Sequence, residues 1–260
     1  MIHPVPGRAL GKHPPVIDPR TFQLRKYLKL SFLPAAVSVD WTKASDVWPM
    51  LLNDKLGDCV VAGALHLIQF WSAMTGNPIT PVDGDAEKIY EIFGYNPQDP
   101  QDTDNGIAML PFLKYWRKTG LPVGGKLHKI TGFAQVNTTS VAEVSQTIDL
   151  FGGLYLGANL PNTAQDGTVW SVPNGLTGDG APGSWGGHCI PVLADRLNAK
   201  YPLGLKQITW GQVYEMTWYF LQMYGDEGYA VFAPEWINAY TGLSPSNFDG
   251  QQLLADLAAL

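Results

Sequence analysis

The chain has 260 residues, 45% hydrophobic and 12% aromatic, enough to fill one sizeable core without staples. Its two cysteines, Cys59 and Cys189, exclude a disulfide framework, and with no run as long as a membrane span and no apolar stretch near the N-terminus it is expected to be soluble, cytoplasmic or part of a virion or other assembly, without a secretion signal. The net charge of −6 is uneven: residues 1–30 carry six Lys or Arg against one Asp, and the rest is strongly acidic.

Residues 1–35 read as an extended basic arm, because Pro at positions 4, 6, 14, 15, 19 and 34 forbids a regular helix over most of it. Arg25 to Leu30 has room for one short turn. Such an arm is expected to lie across the acidic body or to dock on an acidic protein partner. Nucleic acid is not favoured as its partner, since no RNA-binding signature, helix-turn-helix pattern or zinc spacing accompanies it. Residues 36–260 read as one domain, and its last helix-like piece runs from Gln251 to Leu260.

Within that domain, Cys59 to Met74 (CVVAGALHLIQFWSAM) is apolar on every face and is followed by Gly76 and Pro78, which predicts a central helix buried on all sides. Further helices are expected over Asp85–Phe93 and Met109–Lys118, the second ending before Gly120. Short apolar or alternating runs bounded by Gly and Pro predict strands over Gly153–Leu160, His188–Ala194, Leu205–Trp210 and Tyr229–Ala233. Helices first and strands after imply an α+β fold with segregated halves and a cleft between them.

A nucleophilic cysteine needs a lowered thiol pKa, and a helix N-terminus with a nearby imidazole supplies it. Cys59 begins the buried helix, behind the polar, glycine-bearing loop Leu52 to Asp58. His188 heads a strand after the Gly-rich run Gly183 to Gly187. Taken singly, Cys59 reads as a small buried hydrophobe and His188 as a loop histidine. His66 reads as a hydrogen-bonded core or edge histidine and His128 as a surface one. Cys189 follows His188 on a strand, so it is expected to face away and pack as core, which disfavours a Cys59 to Cys189 disulfide. Asp102, Asp104 and Asp179 read as polar loop residues rather than metal ligands, and no metal or cofactor is expected.

Several of these residues stand in an order that resembles the papain-like cysteine peptidases. Val39-Asp40-Trp41 resembles that family's mature N-terminal motif, and Trp41 precedes Cys59 by the family's eighteen residues. Asn53 stands where the family has the Gln of its oxyanion hole. Asn105-Gly106-Ile107 resembles the Asn-Gly-Gly stretch lining substrate subsites, and Gly186-Gly187-His188-Cys189 resembles the catalytic His region. Thr209-Trp210-Gly211 is similar to the Asn-Ser-Trp-Gly run, and Gly225 to Phe232 (GDEGYAVF) to the Gly-Glu-Asn-Gly-Tyr strand. The resemblance spans roughly residues 37 to 235 and implies a two-lobed papain-like fold, with a helical lobe holding the central helix and an antiparallel β lobe.

It also implies roles. Cys59 would be the nucleophile, His188 the acid and base, and Asn53 with the Cys59 backbone N–H the oxyanion donors. Trp210 would shield the imidazole, and Asn105, Gly106, Trp185 and Gly187 would line the substrate cleft. The departures concern the cysteine signature, of which Leu56 to Val60 keeps only Gly57 and Cys59, and the imidazole partner. Ile208 falls where a polar residue is expected, and Thr209 is expected to face away unless a bulge turns it. Asp195, Asn198 or a backbone carbonyl are the alternatives. The function expected is hydrolysis of a peptide or other amide in a peptide or protein substrate. The alternative is a catalytically silent papain-fold module that binds or builds, for instance in a phage particle.

Overall fold

The computed structural model of the protein describes residues 7–27, 38–173, 175–195, 203–237 and 242–245. The expected terminal helix from Gln251 and the candidate Asn198 lie outside them. Helix α1 is the short turn Leu24–Tyr27 in the arm. Helix α2 is Cys59–Met74, buried from Cys59 to Ser72 on every side, as its uniformly apolar composition dictates.

Around α2 stand α3 (Asp83–Ile92), the single turn α4 (Pro100–Thr103) and α5 (Met109–Lys118). The start of α3 lies two residues earlier than expected, where Asp85 Oδ2 accepts the Val82 N–H. The strands β1 (Leu121–Val123) and β2 (Lys126–His128) form a small hairpin beside them. That hairpin turns His128 inward, which corrects its reading as a surface residue. It is 8% exposed, with Nδ1 2.9 Å from Glu235 Oε1.

The second half is a seven-stranded sheet of β3 (Gly132–Gln135), β4 (Leu154–Leu160), β5 (Val169–Trp170), β6 (Gly186–Asp195), β7 (Leu203–Thr209), β8 (Gln212–Thr217) and β9 (Gly225–Phe232). Its order is β3-β9-β4-β6-β7-β8-β5, antiparallel throughout except for the β5 and β8 pair. Two further helices interrupt the strand-rich half. Helix α6 (Val141–Phe151) starts at Ser140, whose hydroxyl accepts the Glu143 N–H, and ends at Gly152 in the left-handed region; α7 (Trp218–Tyr224) starts at Thr217 in the same manner.

The sheet is covered on both faces, which is why its central strands read as continuous apolar runs. Tyr155, Cys189, Leu193, Ile208 and Tyr229 face α2 and complete the core of the helical half. Their neighbours Leu154, Leu156, Ile190 and Val192 face the other way and pack with Val144, Ile148 and Phe220 of α6 and α7. Fully burying one such Leu or Ile side chain contributes roughly 1.5–3 kcal/mol. The junction is tied by Tyr155, whose hydroxyl donates to the Val60 carbonyl in the first turn of α2. Helix α2 and strand β6, which carry Cys59 and His188, are therefore packed directly against each other.

Candidate active site

Cys59 is the first residue of α2, where the helix presents unpaired backbone N–H groups and positive dipole charge. Gly57, just before it, is held by Asp104, whose Oδ1 accepts the Gly57 N–H at 2.9 Å and the Tyr90 hydroxyl at 2.6 Å. The sequence reading of Asp104 as an ordinary loop residue missed this positioning role. Its signal was the Asp104 and Asn105 pair preceding Gly106.

His188 is fully buried on β6, and its ring lies parallel to the Trp210 indole, with centroids 4.5 Å apart and planes 13° apart. Trp210 and Gly211 link β7 to β8 as a two-residue turn, both with positive φ (47° and 69°). A tryptophan in that region is strained, and the strain is held by Trp185 and Trp170 packed around its ring. Trp185 is 1% exposed behind Trp210, in the core of the sheet's outer face rather than in the cleft where it was expected.

The partner of the imidazole is Thr209. Its Oγ1 lies 2.7 Å from His188 Nε2, while Ile208 points into the core beside α2. The expected orientation is thus reversed. Strand β7 pairs with β6 through a register irregularity between Val192 and Ala194, and alternation then puts Leu205 and Thr209 on the face that His188 occupies. Asp195 is engaged elsewhere, accepting the Val39 N–H. With Nε2 occupied, the ring's Nδ1 is buried and makes no hydrogen bond among the described residues.

Asn53 is 2% exposed, and its Nδ2 donates to Asp58 Oδ1 and to the Leu56 carbonyl, both at 3.1 Å, and to the Ala9 carbonyl at 3.4 Å. Asp58, completely buried, has its carboxyl pushed well above the usual range by desolvation, and its charge in turn works to raise the neighbouring Cys59 thiol. Cys189 packs as core as expected, but on the face toward α2 and in the cluster that holds Cys59 rather than turned away from it, and both cysteines are free.

The N-terminal arm fills the cleft between these groups. Arg8 lies over the rings of Trp210 and Tyr214, at 5.4 and 5.7 Å. Ala9 donates its N–H to the Asn53 carbonyl at 2.9 Å and accepts from Trp210 Nε1 at 3.3 Å. Gly11 packs on the Gly57 backbone beside Cys59, and backbone hydrogen bonding from Cys189 and Gly11 favours the thiolate without outweighing burial. The Gly11 carbonyl accepts the Ile107 N–H at 2.8 Å, Lys12 donates its N–H to the Gly187 carbonyl at 3.1 Å, and His13 donates to the Ile107 carbonyl at 3.0 Å. Such close seating requires glycines. A Cβ on Gly11 would collide with the Gly57 carbonyl, and one on Gly106 or Gly187 with the arm's backbone.

Asn105 meets the arm through its carbonyl, 2.5 Å from His13 Nε2. The expected basic arm across an acidic body is therefore found, and its docking place is the cleft itself. The sequence alone leaves open that the arm covers the cleft, and Gly11-Lys12 ahead of Pro14-Pro15, opposite the acidic Asp226-Glu227, is the signal for where it seats.

Under this cover Cys59 and His188 are each uncharged. Burial pushes the Cys59 thiol up to about 12, against the two backbone donors, and lowers His188 to about 3.

No sequence-family pattern matches the chain, and no curated protein matches it in sequence. Solved structures do match it in fold. Xylellain, a cysteine protease from Xylella fastidiosa, superposes with a TM-score of 0.63 over 87% of this chain and 97% of its own, at 14% identity. Procathepsin L 3 from the larval midgut of Tenebrio molitor gives 0.55 over 87% and 76%, at 10% identity. The Carica candamarcensis cysteine protease CMS1MS2, solved in complex with E-64, gives 0.52 over 77% and 99%, at 11% identity. With its helical first half, central α2 and antiparallel sheet, the chain has the fold of the papain-like cysteine proteases.

Proposed function

We propose that the protein is a cysteine peptidase held latent by its own N-terminal arm. One observation carries the reading: the cleft beside Cys59 already holds an extended polypeptide, fastened by backbone hydrogen bonds to Asn53, Ile107 and Gly187, which is how a peptide substrate would be recognised. The fold shared with cysteine proteases supports it.

Once the arm has left, water and the N-terminus of α2 restore conditions under which the Cys59 proton passes to His188 Nδ1. The thiolate then attacks the scissile carbonyl carbon. A carbon to sulfur bond forms, and the oxyanion is met by the Cys59 N–H and the Asn53 amide. His188 gives its proton to the departing amine as the carbon to nitrogen bond breaks. A water molecule, giving its proton to the same ring, then hydrolyses the thioester and returns the thiol. Thr209 fixes the ring through Nε2, and Trp210 shields that bond from solvent.

The test is alkylation of Cys59 by iodoacetamide between pH 5 and 9, followed by mass spectrometry, in the full chain, in a chain lacking residues 1–13, and in the shortened chain with His188→Ala. The reading requires a slow full chain, a shortened chain that reacts quickly below pH 7, and loss of that reactivity with His188→Ala. A Cys59 that behaves as an ordinary thiol in the shortened chain, with or without His188, leaves a papain-fold binding module as the better account.

A further inference from the structure

The arm's most deeply buried side chain is a cation. Lys12 runs off the cleft floor into a pocket where its side chain is 0% exposed, and its ammonium lies 2.9 Å from Asp226 Oδ2 and 3.2 Å from Glu227 Oε1. A third acceptor, the His13 carbonyl, is at 3.0 Å, so each of the three ammonium protons has a partner. Burying a lysine is costly unless its charge is compensated in this way.

The pocket is built for such a chain. Its wall is Gly157, where a Cβ would strike the Lys12 stem, Glu227 and the Met109 sulfur, so the absent side chain leaves a channel for methylenes. Its end is rigid: Glu227 is 1% exposed on its side chain, and its Oε2 is fixed by the Tyr229 hydroxyl at 2.8 Å. That leaves Oε1 aimed at the ammonium with no other hydrogen-bond partner among the described residues. Two carboxylates face one ammonium, an arrangement that equally suits the wider fork of a guanidinium.

We propose that Asp226 and Glu227 form a side-chain subsite that selects lysine or arginine in the peptides this cleft takes, with Lys12 occupying it in the latent state. The proposal rests on the peptidase reading above, but it predicts a binding preference that catalysis is not needed to observe.

The experiment uses the full chain carrying Gly11→Val, whose arm seats less tightly on Gly57, and fluorescein-labelled heptapeptides with the sequence of residues 8–14 and Lys, Arg, Leu or Glu at the position of Lys12. Binding is followed by anisotropy, and a library of synthetic hexapeptides is digested in parallel. The subsite requires the Lys and Arg peptides to bind at least about ten-fold more tightly than the Leu and Glu peptides, and Asp226→Asn and Glu227→Gln, each alone, to erode that preference. Using both variants guards against one misfolding.

Equal binding of the four peptides, or a preference unmoved by both substitutions, overturns the subsite. The two readings separate cleanly. Basic preference in binding without any cleavage keeps the subsite and removes the peptidase, whereas cleavage of the hexapeptides indifferent to Lys and Arg keeps the peptidase and removes the subsite.

Discussion

His188 Nε2 and Thr209 Oγ1 lie 2.7 Å apart, both buried, with the Trp210 indole stacked over the ring. In the tautomer whose Nδ1 can take a proton, Nε2 carries its hydrogen and donates it to the Thr209 hydroxyl oxygen both before and after the transfer. Thr209→Val keeps the shape and removes the partner. It leaves a buried ring nitrogen unsatisfied at a cost of about 1–3 kcal/mol and frees the ring to turn, so peptidase turnover in arm-released protein should fall roughly ten-fold or more. Thr209→Ser should recover most of the rate. Equal rates for the Val and Ser variants would show that the hydrogen bond has no part in orienting the ring.

This contact also marks where sequence ceased to be informative. The 16-residue apolar run after Asp58 and the strand runs around His188 follow from local composition, because a helix or strand buried on both sides has little freedom in its choice of residues. Register is different. Whether Ile208 or Thr209 faces His188 depends on a slip between Val192 and Ala194 in pairing partners far apart in sequence, and one residue of slip exchanges the faces. The same limit hid the role of Asp104, which reaches Gly57 across 47 positions, and the seating of Lys12 on Asp226, 214 positions away. Helix α6 was missed although Ser140 and Gly152 punctuate it, because its polar first turns masked the apolar stripe of Val144, Ile148 and Phe151.

Gly11 is the point at which the arm closes over the sulfur, and no side chain fits there because the Gly57 carbonyl occupies the space. Gly11→Val should therefore lift the arm without touching the body of the protein. Overpacking of this kind costs about 1–3 kcal/mol, which raises the open population by roughly 5- to 150-fold. Cys59 alkylation by iodoacetamide should accelerate in proportion, with an unchanged circular dichroism spectrum. A rate equal to that of wild type would mean that the arm does not control access to the thiol.

Asn53 has two duties, holding Asp58 and the Leu56 carbonyl, and reaching the Ala9 carbonyl that enters the cleft. If that amide also meets the oxyanion, Asn53→Ala in arm-released protein should lower kcat by on the order of 10²-fold and leave KM nearly unchanged. Alkylation of Cys59 reports the thiol itself, so it should remain within a few-fold of the parent. A variant that loses alkylation and turnover together would assign Asn53 to building the loop in front of α2 rather than to stabilising charge.

Two buried histidines give the protein a defined response to acid. His66 in α2, with Nε2 2.9 Å from the Pro49 carbonyl, is lowered to about 4 by burial, and His188 to about 3 by the same cause. Both are neutral in the fold and take up a proton near pH 6.5 when unfolded, so the stability each contributes is complete above about pH 6.5 and is lost as pH falls through the folded-state values. The carboxyls of Asp58, Asp195 and Glu227, raised by burial, act in the opposite sense, and total stability against pH therefore mixes both. Comparison with His66→Gln, which retains a donor for the Pro49 carbonyl, isolates one contribution. In urea unfolding, the advantage of wild type over this variant should be constant from pH 8 to 7 and shrink by on the order of 3 kcal/mol between pH 6.5 and 4. An advantage that does not change with pH would show that His66 keeps an ordinary proton affinity despite its burial.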